Sequence, residues 1–322
     1  MNDVQTDYVD EVPLDTMRAV VPGATPLRWT LPNASPSGGT LALAGWDFGG
    51  RGRPLALLHH ANGMCGAVWA PLARALATHY HVIAFDARGH GASQHLSVPD
   101  DYAWDFFCSD LLALAQHLLA QLGQERVALG LGSSFGGIVS AAAEARQPGT
   151  FERLVMLDPP IHPTPEVVAA LGLTLPPWQD DRPGRVAQTL KRKAIWPGRA
   201  AANAAWRHKP LFAPWREAAF RLYLAYGLTD VGDGTVALSC PPEVEAHIFA
   251  TTGSMDVQEY APRVAAPVLF TRALRGFFPN ELFERLPSLF PAGEGAALDA
   301  GHMLPLEAPD DVYELLRGWL NL

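Results

Sequence analysis

The segment Gly132-Ser133-Ser134-Phe135-Gly136 is the part of this sequence best suited to chemistry. It follows residues 127–131, an apolar stretch that predicts a strand, and precedes residues 137–145, which have helical propensity. A serine on such a sharp strand-to-helix turn is strained, and its glycine neighbours let backbone segments approach closely. The turn directs the Ser134 hydroxyl outward at a helix N-terminus, where the Phe135 N–H would face a developing oxyanion. We therefore predict Ser134 as a nucleophile and Phe135 as an oxyanion donor.

Three further segments give this turn a context. The apolar residues 55–59 precede His60-Ala61-Asn62-Gly63, residues 86–93 read D-x-R-G-x-G-x-S, and residues 299–307 contain Gly301-His302. With these motifs the chain resembles the α/β-hydrolase superfamily over most of residues 40–158 and 262–322. The resemblance implies a capped serine hydrolase with an α/β fold, in which a mostly parallel, doubly wound sheet carries a helical cap inserted after the sixth strand.

A serine hydroxyl needs a base within hydrogen-bond reach, because it is a poor nucleophile at its free pKa. His302 is the best candidate, since it follows an apolar strand, comes after Ser134 in the chain and precedes the apolar residues 303–306. The resemblance implies a base in such a loop. We predict that His302 takes the Ser134 proton and then donates it to the leaving group.

The acid that would orient His302 departs from the common family pattern. Family members often carry it just after the seventh strand, but residues 271–280 contain no carboxylate. Some members instead carry it at the end of the sixth strand, where this chain has Asp158 directly after Leu154–Leu157. A carboxylate there is costly to bury unless it accepts strong hydrogen bonds. We predict Asp158 as the third triad member, with a strand-end cap as its alternative role and Glu281 and Asp256 as second choices.

The loop after residues 55–59 should supply the other oxyanion donor. The family commonly has His-Gly there, followed by the donor residue, and this position falls on Asn62. Its backbone N–H is the expected donor, while its side-chain amide either adds a contact or caps the turn. Asp86, Arg88 and His90 are interpreted as residues that hold a turn, with Arg88 paired to a carboxylate or to carbonyls.

Strands alternate with helices from Pro54 to Asp158, which predicts a parallel sheet with helices on both faces. The pattern then changes to a Pro- and Trp-rich stretch that includes Trp178, Trp196, Trp206 and Trp215. We predict an N-terminal arm at residues 1–24, a core at 25–158 and 256–322, and a helical cap at 159–255. Most of these tryptophans are expected in the core of the cap, with one or two facing the pocket.

Composition excludes several classes of function. The net charge of −9 provides no basic surface for nucleic acid or an anionic membrane, and no apolar run approaches the ~20 residues that span a bilayer. Cys65, Cys108 and Cys240 are odd in number and widely spaced, which favours reduced thiols in the cytoplasm. The N-terminus does not resemble a signal peptide. Metal and cofactor motifs are missing, so we expect no cofactor.

The predicted function is a cofactor-independent serine hydrolase acting on a small, apolar carboxylic ester or lactone. Hydrolysis of a carbon–carbon bond in a diketone-like compound uses the same residue types and is one alternative. Family members that open epoxides or displace halide use an Asp nucleophile, and Ser134 argues against both reactions. A ligand-binding receptor on a hydrolase fold is the other alternative. The oligomeric state is not predicted.

Overall fold

A computed structural model of the chain describes residues 21, 23–176 and 179–322. The predicted arm, residues 1–24, falls outside this part of the chain except for Val21, Gly23 and Ala24. The eleven strands of the described residues are β1 Thr25–Pro32, β2 Thr40–Asp47, β3 Leu55–His59, β4 His81–Asp86, β5 Leu129–Ser133, β6 Leu154–Leu157, β7 Ile195–Trp196, β8 Leu228–Gly232, β9 Thr235–Leu238, β10 Val268–Ala273 and β11 Gly293–Leu298.

The twelve α-helices of the same residues connect and cover these strands. They are α1 Ala70–Leu76, α2 Trp104–Leu122, α3 Phe135–Arg146, α4 Pro165–Ala170, α5 Arg182–Leu190, α6 Arg199–Trp206, α7 Glu217–Tyr226, α8 Pro242–Ala250, α9 Val257–Tyr260, α10 Asn280–Arg285, α11 Leu304–Glu307 and α12 Pro309–Leu320.

Eight strands form one sheet in the order β1-β2-β4-β3-β5-β6-β10-β11. The two pairs that involve β2 are antiparallel and the other neighbours are parallel. Strands β3 to β6 are completely buried, because apolar layers cover both faces of the sheet. The doubly wound, mostly parallel sheet predicted from the sequence is therefore confirmed.

The two faces of the sheet carry separate apolar clusters. Ala56 and Leu58 of β3 pack in the cluster that includes α1, α7 and α12. Leu55 and Leu57 pack in the cluster that includes α2 and α3 on the other face. Alternate residues of a strand point to opposite faces, so a continuous apolar strand supplies both layers.

The register of the parallel strands brings several strand ends to one edge. His59 pairs with Gly132, Ser133 pairs with Leu157, and Leu157 pairs with Thr271. Strand β5 extends two residues beyond the predicted end at 131, because its pairing with β6 continues through Gly132 and Ser133. Residues that follow β3, β5, β6 and β10 are therefore neighbours, as expected where ligands bind in such sheets.

Residues 159–255, here called the inserted segment, lie between β6 and β10 in the chain. Its described residues form α4 to α8 and a small antiparallel sheet in the order β7-β9-β8. Helices are predicted here from the sequence, whereas this sheet is not. Trp206 stacks on Phe212, which contacts Trp215 edge-on, and Trp196 packs on Trp206. These aromatic rings belong to the apolar cluster that also covers one face of the main sheet.

Candidate active site

Ser134 occupies a strained turn between β5 and α3, with φ 52° and ψ −119°. Positive φ is uncommon outside glycine. The turn depends on close backbone approaches. A Cβ on Gly132 would lie 2.3 Å from the Gly136 carbonyl oxygen, and a Cβ on Gly136 would lie 2.3 Å from that of His59. Only glycine fits at either position, so the local sequence dictates this geometry.

The structure brings Ser134, His302 and Asp158 into one hydrogen-bonded chain. His302 Nε2 lies 2.9 Å from Ser134 Oγ, and His302 Nδ1 lies 2.6 Å from Asp158 Oδ2. A carboxylate only accepts hydrogen bonds, so His302 carries its proton on Nδ1 and accepts the Ser134 hydroxyl at Nε2. His302 comes from the loop between β11 and α11.

Asp158 is 2% exposed, and both of its carboxylate oxygens have partners. Oδ2 accepts from His302, and Oδ1 accepts the Ala273 N–H at 2.8 Å. These bonds offset the cost of burying the carboxylate. The second-choice acids lie elsewhere: Asp256 caps α9 by accepting the Gln258 N–H, and Glu281 is exposed.

Glu307 holds the histidine loop, a contact that the sequence analysis did not identify. Its carboxylate accepts the Gly301 N–H at 2.7 Å and the Met303 N–H at 3.3 Å. These two residues flank His302. The Phe277 ring, with its centroid 5.4 Å from that of the His302 ring, packs beside it. Glu307 is the last residue of the 299–307 motif. Its spacing from Gly301 is the sequence feature that could have indicated this contact.

The residues of the predicted oxyanion donors, Phe135 and Asn62, both line the cavity above Ser134. Neither donates a backbone hydrogen bond within the described ranges. The Phe135 ring is buried and contacts Trp104 and Phe107 edge-on. Phe135 begins α3, and the first N–H groups of a helix have no intrahelical acceptor. Phe135 and Asn62 therefore remain the predicted oxyanion donors.

The loop that carries Asn62, residues 60–64, contacts the inserted segment. The Asn62 side-chain amide donates to the Glu245 carbonyl at 3.0 Å, and the Tyr223 hydroxyl donates to the Gly63 carbonyl at 3.3 Å. The Glu245 carboxylate forms an ion pair with Arg192. Burial raises the pKa of Glu245, and Arg192 opposes that shift. The inserted segment therefore contacts the loop that presents the second oxyanion donor.

Beneath the site lies a group of buried histidines, His59, His60 and His90. Burial is the main cause that lowers the pKa of His59 and of His60 to about 3 and that of His90 well below its usual value. His60 Nε2 accepts the Ala87 N–H at 2.9 Å, and His90 Nε2 accepts the Gly63 N–H at 3.0 Å. Neutral rings thus brace the loops around the site.

Asp86 and Arg88 hold the neighbouring turn, as interpreted from the sequence. Asp86 accepts the N–H groups of Gly66 and Ala92 at 2.6 and 2.9 Å. Arg88 is fully buried and makes two bonds to Asp110, at 2.6 and 2.5 Å. These contacts are structural and do not involve Ser134, His302 or Asp158.

Ser134 opens into a cavity of about 490 Å³ between the sheet edge and the inserted segment. Trp196, Trp206 and Trp215 do not line it, whereas Trp104 of α2 does. The lining includes apolar side chains (Met64, Trp104, Phe135, Ile248, Phe249, Phe277, Phe278) and polar ones from the inserted segment (His162, Asp181, Arg182, Arg185, Gln188, Glu245). The polar residues of α5 are a feature that the sequence analysis missed, because helical pieces rich in arginine usually face solvent.

Comparison with known proteins places this fold. The family model described as the α/β-hydrolase fold matches residues 54–309. The chain belongs to the α/β-hydrolase family. Ala61 stands where this family commonly has glycine. Asp158 follows the sixth strand, whereas the acid of family members often follows the seventh.

Curated α/β-hydrolase relatives are enzymes that cleave different bonds. The chain is 32% identical to a pimeloyl-[acyl-carrier protein] methyl ester esterase of Aliivibrio fischeri over 110 residues, which are 34% of this chain and 38% of that esterase. It is 27% identical to an N-formylmaleamate deformylase of Pseudomonas putida over 280 residues, which are 85% and 91% of the two chains. The match to the esterase thus covers little more than a third of that relative.

Solved α/β-hydrolase structures share the whole architecture. E-2-(acetamidomethylene)succinate hydrolase superposes with a TM-score of 0.73 at 19% identity, covering 92% of this chain and all of that one. The peroxisomal α/β-hydrolase Lpx1 of Saccharomyces cerevisiae gives 0.70 at 15% identity, covering 92% and 88%. These likenesses concern the fold.

Two features are absent from the described residues of this α/β-hydrolase. No helix among them is long and apolar enough to cross a bilayer. Likewise, residues 21, 23–176 and 179–322 hold no group of three or more His, Cys, Asp or Glu side chains arranged for a metal ion.

Proposed function

We propose that this hydrolase cleaves a carboxylic ester or lactone through a Ser134–His302–Asp158 triad and an acyl-enzyme. The observation that carries the proposal is the continuous chain from Asp158 Oδ2 through the His302 ring to Ser134 Oγ, with bonds of 2.6 and 2.9 Å at the floor of a cavity. Nucleophile, base and orienting acid within hydrogen-bond reach are the arrangement that activates a hydroxyl.

In the proposed reaction, Ser134 Oγ attacks the acyl carbon while His302 Nε2 takes the hydroxyl proton. The Phe135 and Asn62 N–H groups stabilise the oxyanion of the tetrahedral intermediate. His302 then gives its proton to the leaving oxygen, and the ester bond breaks. Water attacks the acyl-enzyme after His302 removes one of its protons, which releases the acid and restores Ser134.

We further propose that residues 159–255 act as a cap over a core formed by residues 25–158 and 256–322. The cavity supports this division, since one wall comes from the inserted segment and the other holds Ser134 and His302. A cytoplasmic location is part of the proposal, because Cys65, Cys108 and Cys240 are all free, buried thiols.

A second candidate is hydrolysis of an amide-type acyl bond. It is favoured by the deformylase relative, whose match covers most of both chains. The same steps apply, except that His302 protonates a leaving nitrogen. Relative kcat/KM on an ester and on the corresponding formamide separates the two candidates.

A fluorophosphonate probe combined with a chromogenic ester tests the proposal. We expect the probe to label Ser134, and Ser134→Ala to lower kcat on p-nitrophenyl butyrate by roughly 10⁴-fold or more. The matched control is Ser133→Ala, because Ser133 is the adjacent buried serine and its hydroxyl has no partner among the described residues. Labelling at Ser133, or full activity of Ser134→Ala, would contradict the assignment, and multiple turnovers by the unaltered protein would exclude a receptor.

A further inference from the structure

Two arginines of α5 face the cavity, and the proposed reaction steps do not use them. Arg182 and Arg185 are three residues apart, so they lie on one face of the helix together with Gln188. All three line the space into which Ser134 opens. The chain has a net charge of −9, so two cationic side chains beside Ser134 are unexpected.

Aromatic rings hold Arg185 at the cavity and connect it to the triad. Its guanidinium carbon lies 5.6 Å from the centroid of the Phe249 ring and 5.7 Å from that of the Phe277 ring. The Phe277 ring in turn packs beside His302. Cation–π contacts of this kind fix a guanidinium while leaving its N–H donors free to bind a ligand.

Each arginine pairs with a partly exposed carboxylate, of which Asp181 lines the cavity and Asp180 does not. Asp181, 59% exposed, is 3.2 Å from Arg185, which is 29% exposed. Asp180, 41% exposed, is 2.6 Å from Arg182, which is 35% exposed. Exposed ion pairs contribute little energy, and a guanidinium has five N–H donors. Each arginine can therefore bind a second anion from the cavity side.

His162 lies near both arginines and both aspartates of this wall. It lines the cavity, and burial lowers its pKa, followed by the positive charge of Arg182. Arg185 acts in the same direction, while Asp180 and Asp181 act against it.

We propose that Arg185, assisted by Arg182, binds a carboxylate on the substrate, so that the preferred substrates are esters or amides that carry a second, ionised acid group. This inference rests on the proposed function. Because Phe277 lies between Arg185 and His302, the carboxylate lies several bonds from the scissile carbon. The apolar substrate expected from the sequence then becomes one with an apolar spacer and an anionic end.

A matched pair of esters tests the inference by kinetics. One is mono-p-nitrophenyl glutarate, and the other is a neutral analogue in which an isopropyl group replaces the far carboxylate. We expect kcat/KM to favour the glutarate by about tenfold or more, the effect of one charge-assisted hydrogen bond, and added salt to reduce the preference. Arg185→Met keeps the apolar stem and should abolish the preference by lowering kcat/KM for the glutarate at least tenfold more than for the neutral ester. Arg182→Met should reduce it less.

The matched control is Arg317→Gln. Arg317 is an exposed arginine that also pairs with a carboxylate one helical turn away, on α12 and outside the cavity. It should retain the full preference. Equal kcat/KM for the two esters, or a preference that survives Arg185→Met, would overturn the inference and leave the proposed function standing.

A binding measurement gives an answer that does not depend on turnover. Titration calorimetry of the Ser134→Ala protein with glutarate should show binding, and adding Arg185→Met should remove it. Absence of binding, or binding that Arg185→Met does not weaken, would overturn the inference. Binding through Arg185 in a protein that hydrolyses neither ester and resists the fluorophosphonate would instead refute the proposed function and support the anion site.

Discussion

Ser134 and Asp158 share an uncommon backbone conformation. Four non-glycine residues of the described chain have positive φ, and these are two of them, at 52° and 45°. The others, Asp233 and Asn321, lie in a hairpin turn and at a helix end. The Asp158 N–H donates to the Thr271 carbonyl at 2.7 Å, which helps to hold the strained residue. Backbone strain at Ser134 and Asp158 is consistent with a preorganised site.

Asp158→Asn tests the orienting role at this scale. The amide can still accept the Ala273 N–H, so the fold should survive, but it favours the wrong His302 tautomer. We expect kcat to fall about 10⁴-fold. Circular dichroism and steady-state kinetics would check both expectations. Asp299→Asn is the control, since Asp299 is exposed and pairs with Arg275 near the histidine loop. Nearly full activity of Asp158→Asn would leave a Ser134–His302 dyad.

The position of α3 against β3 is the critical contact between elements. At Gly136 any side chain would meet the backbone carbonyls of His59 and His60, which cannot move without displacing β3.

We therefore expect Gly136→Ala to destabilise the fold strongly and to remove activity. Gly318→Ala in α12 is the matched control, because a Cβ there meets nothing within 4 Å. In a helix it should stabilise by roughly 0.5–1 kcal/mol. Urea denaturation of both variants measures the difference. Equal effects would show that the close approach at the elbow is unimportant.

The contact of α7 with the loop of residues 60–64 supports a second prediction about elements. Tyr223→Phe removes the hydroxyl, which donates to the Gly63 carbonyl and also contacts Arg192, but keeps the buried ring. If this bond positions the Asn62 N–H, kcat should fall about three- to tenfold with little change in KM, as expected for a hydrogen bond worth about 1 kcal/mol.

Tyr260→Phe is the control for this experiment. Tyr260 is also buried, and its hydroxyl has no partner in the described residues. It should leave kcat unchanged. An equal loss in both variants would indicate a general packing effect.

Buried titratable groups make the stability of the whole molecule depend on pH. The folded state keeps His59, His60 and His90 neutral, whereas the unfolded chain protonates them below the usual histidine pKa of 6.5. The unfolded state then binds more protons, so stability is lost as the pH falls. Burial raises the pKa of Asp86 and of Asp110 to about 6, which acts in the opposite direction between about pH 4 and 6.

The free energy of unfolding should therefore decrease as the pH falls below 6.5, because the three histidines outweigh the two aspartates, which offset part of the loss. Denaturant titrations between pH 7.5 and 4.5 would measure this profile. His59 has no hydrogen-bond partner for either ring nitrogen among the described residues. His59→Leu should accordingly reduce the slope by up to about 1.4 kcal/mol per pH unit. A profile unchanged by His59→Leu would contradict the proposed proton linkage.

The sequence by itself determined the α/β-hydrolase fold and pointed to Ser134, His302 and Asp158. The fold and Ser134 rest on local patterns, namely alternating apolar segments and glycines that a tight turn requires, whereas His302 and Asp158 also depended on the resemblance to the family. Such features are encoded within a few neighbouring residues. Strand ends were less predictable, as at β5, because pairing between strands decides where a ladder stops.

Only the tertiary structure decided which side chains surround the triad. Arg185, Tyr223, Glu245 and Phe277 come from separate helices and loops, and no spacing in the chain relates them to Ser134. The small sheet of the inserted segment was equally unpredicted, since two of its strands are short and largely exposed. An amphipathic helix has the same pattern whether its polar face meets solvent or a cavity. Packing between distant segments determines whether the polar face meets solvent or the cavity. It thereby places the arginines that we propose select the substrate.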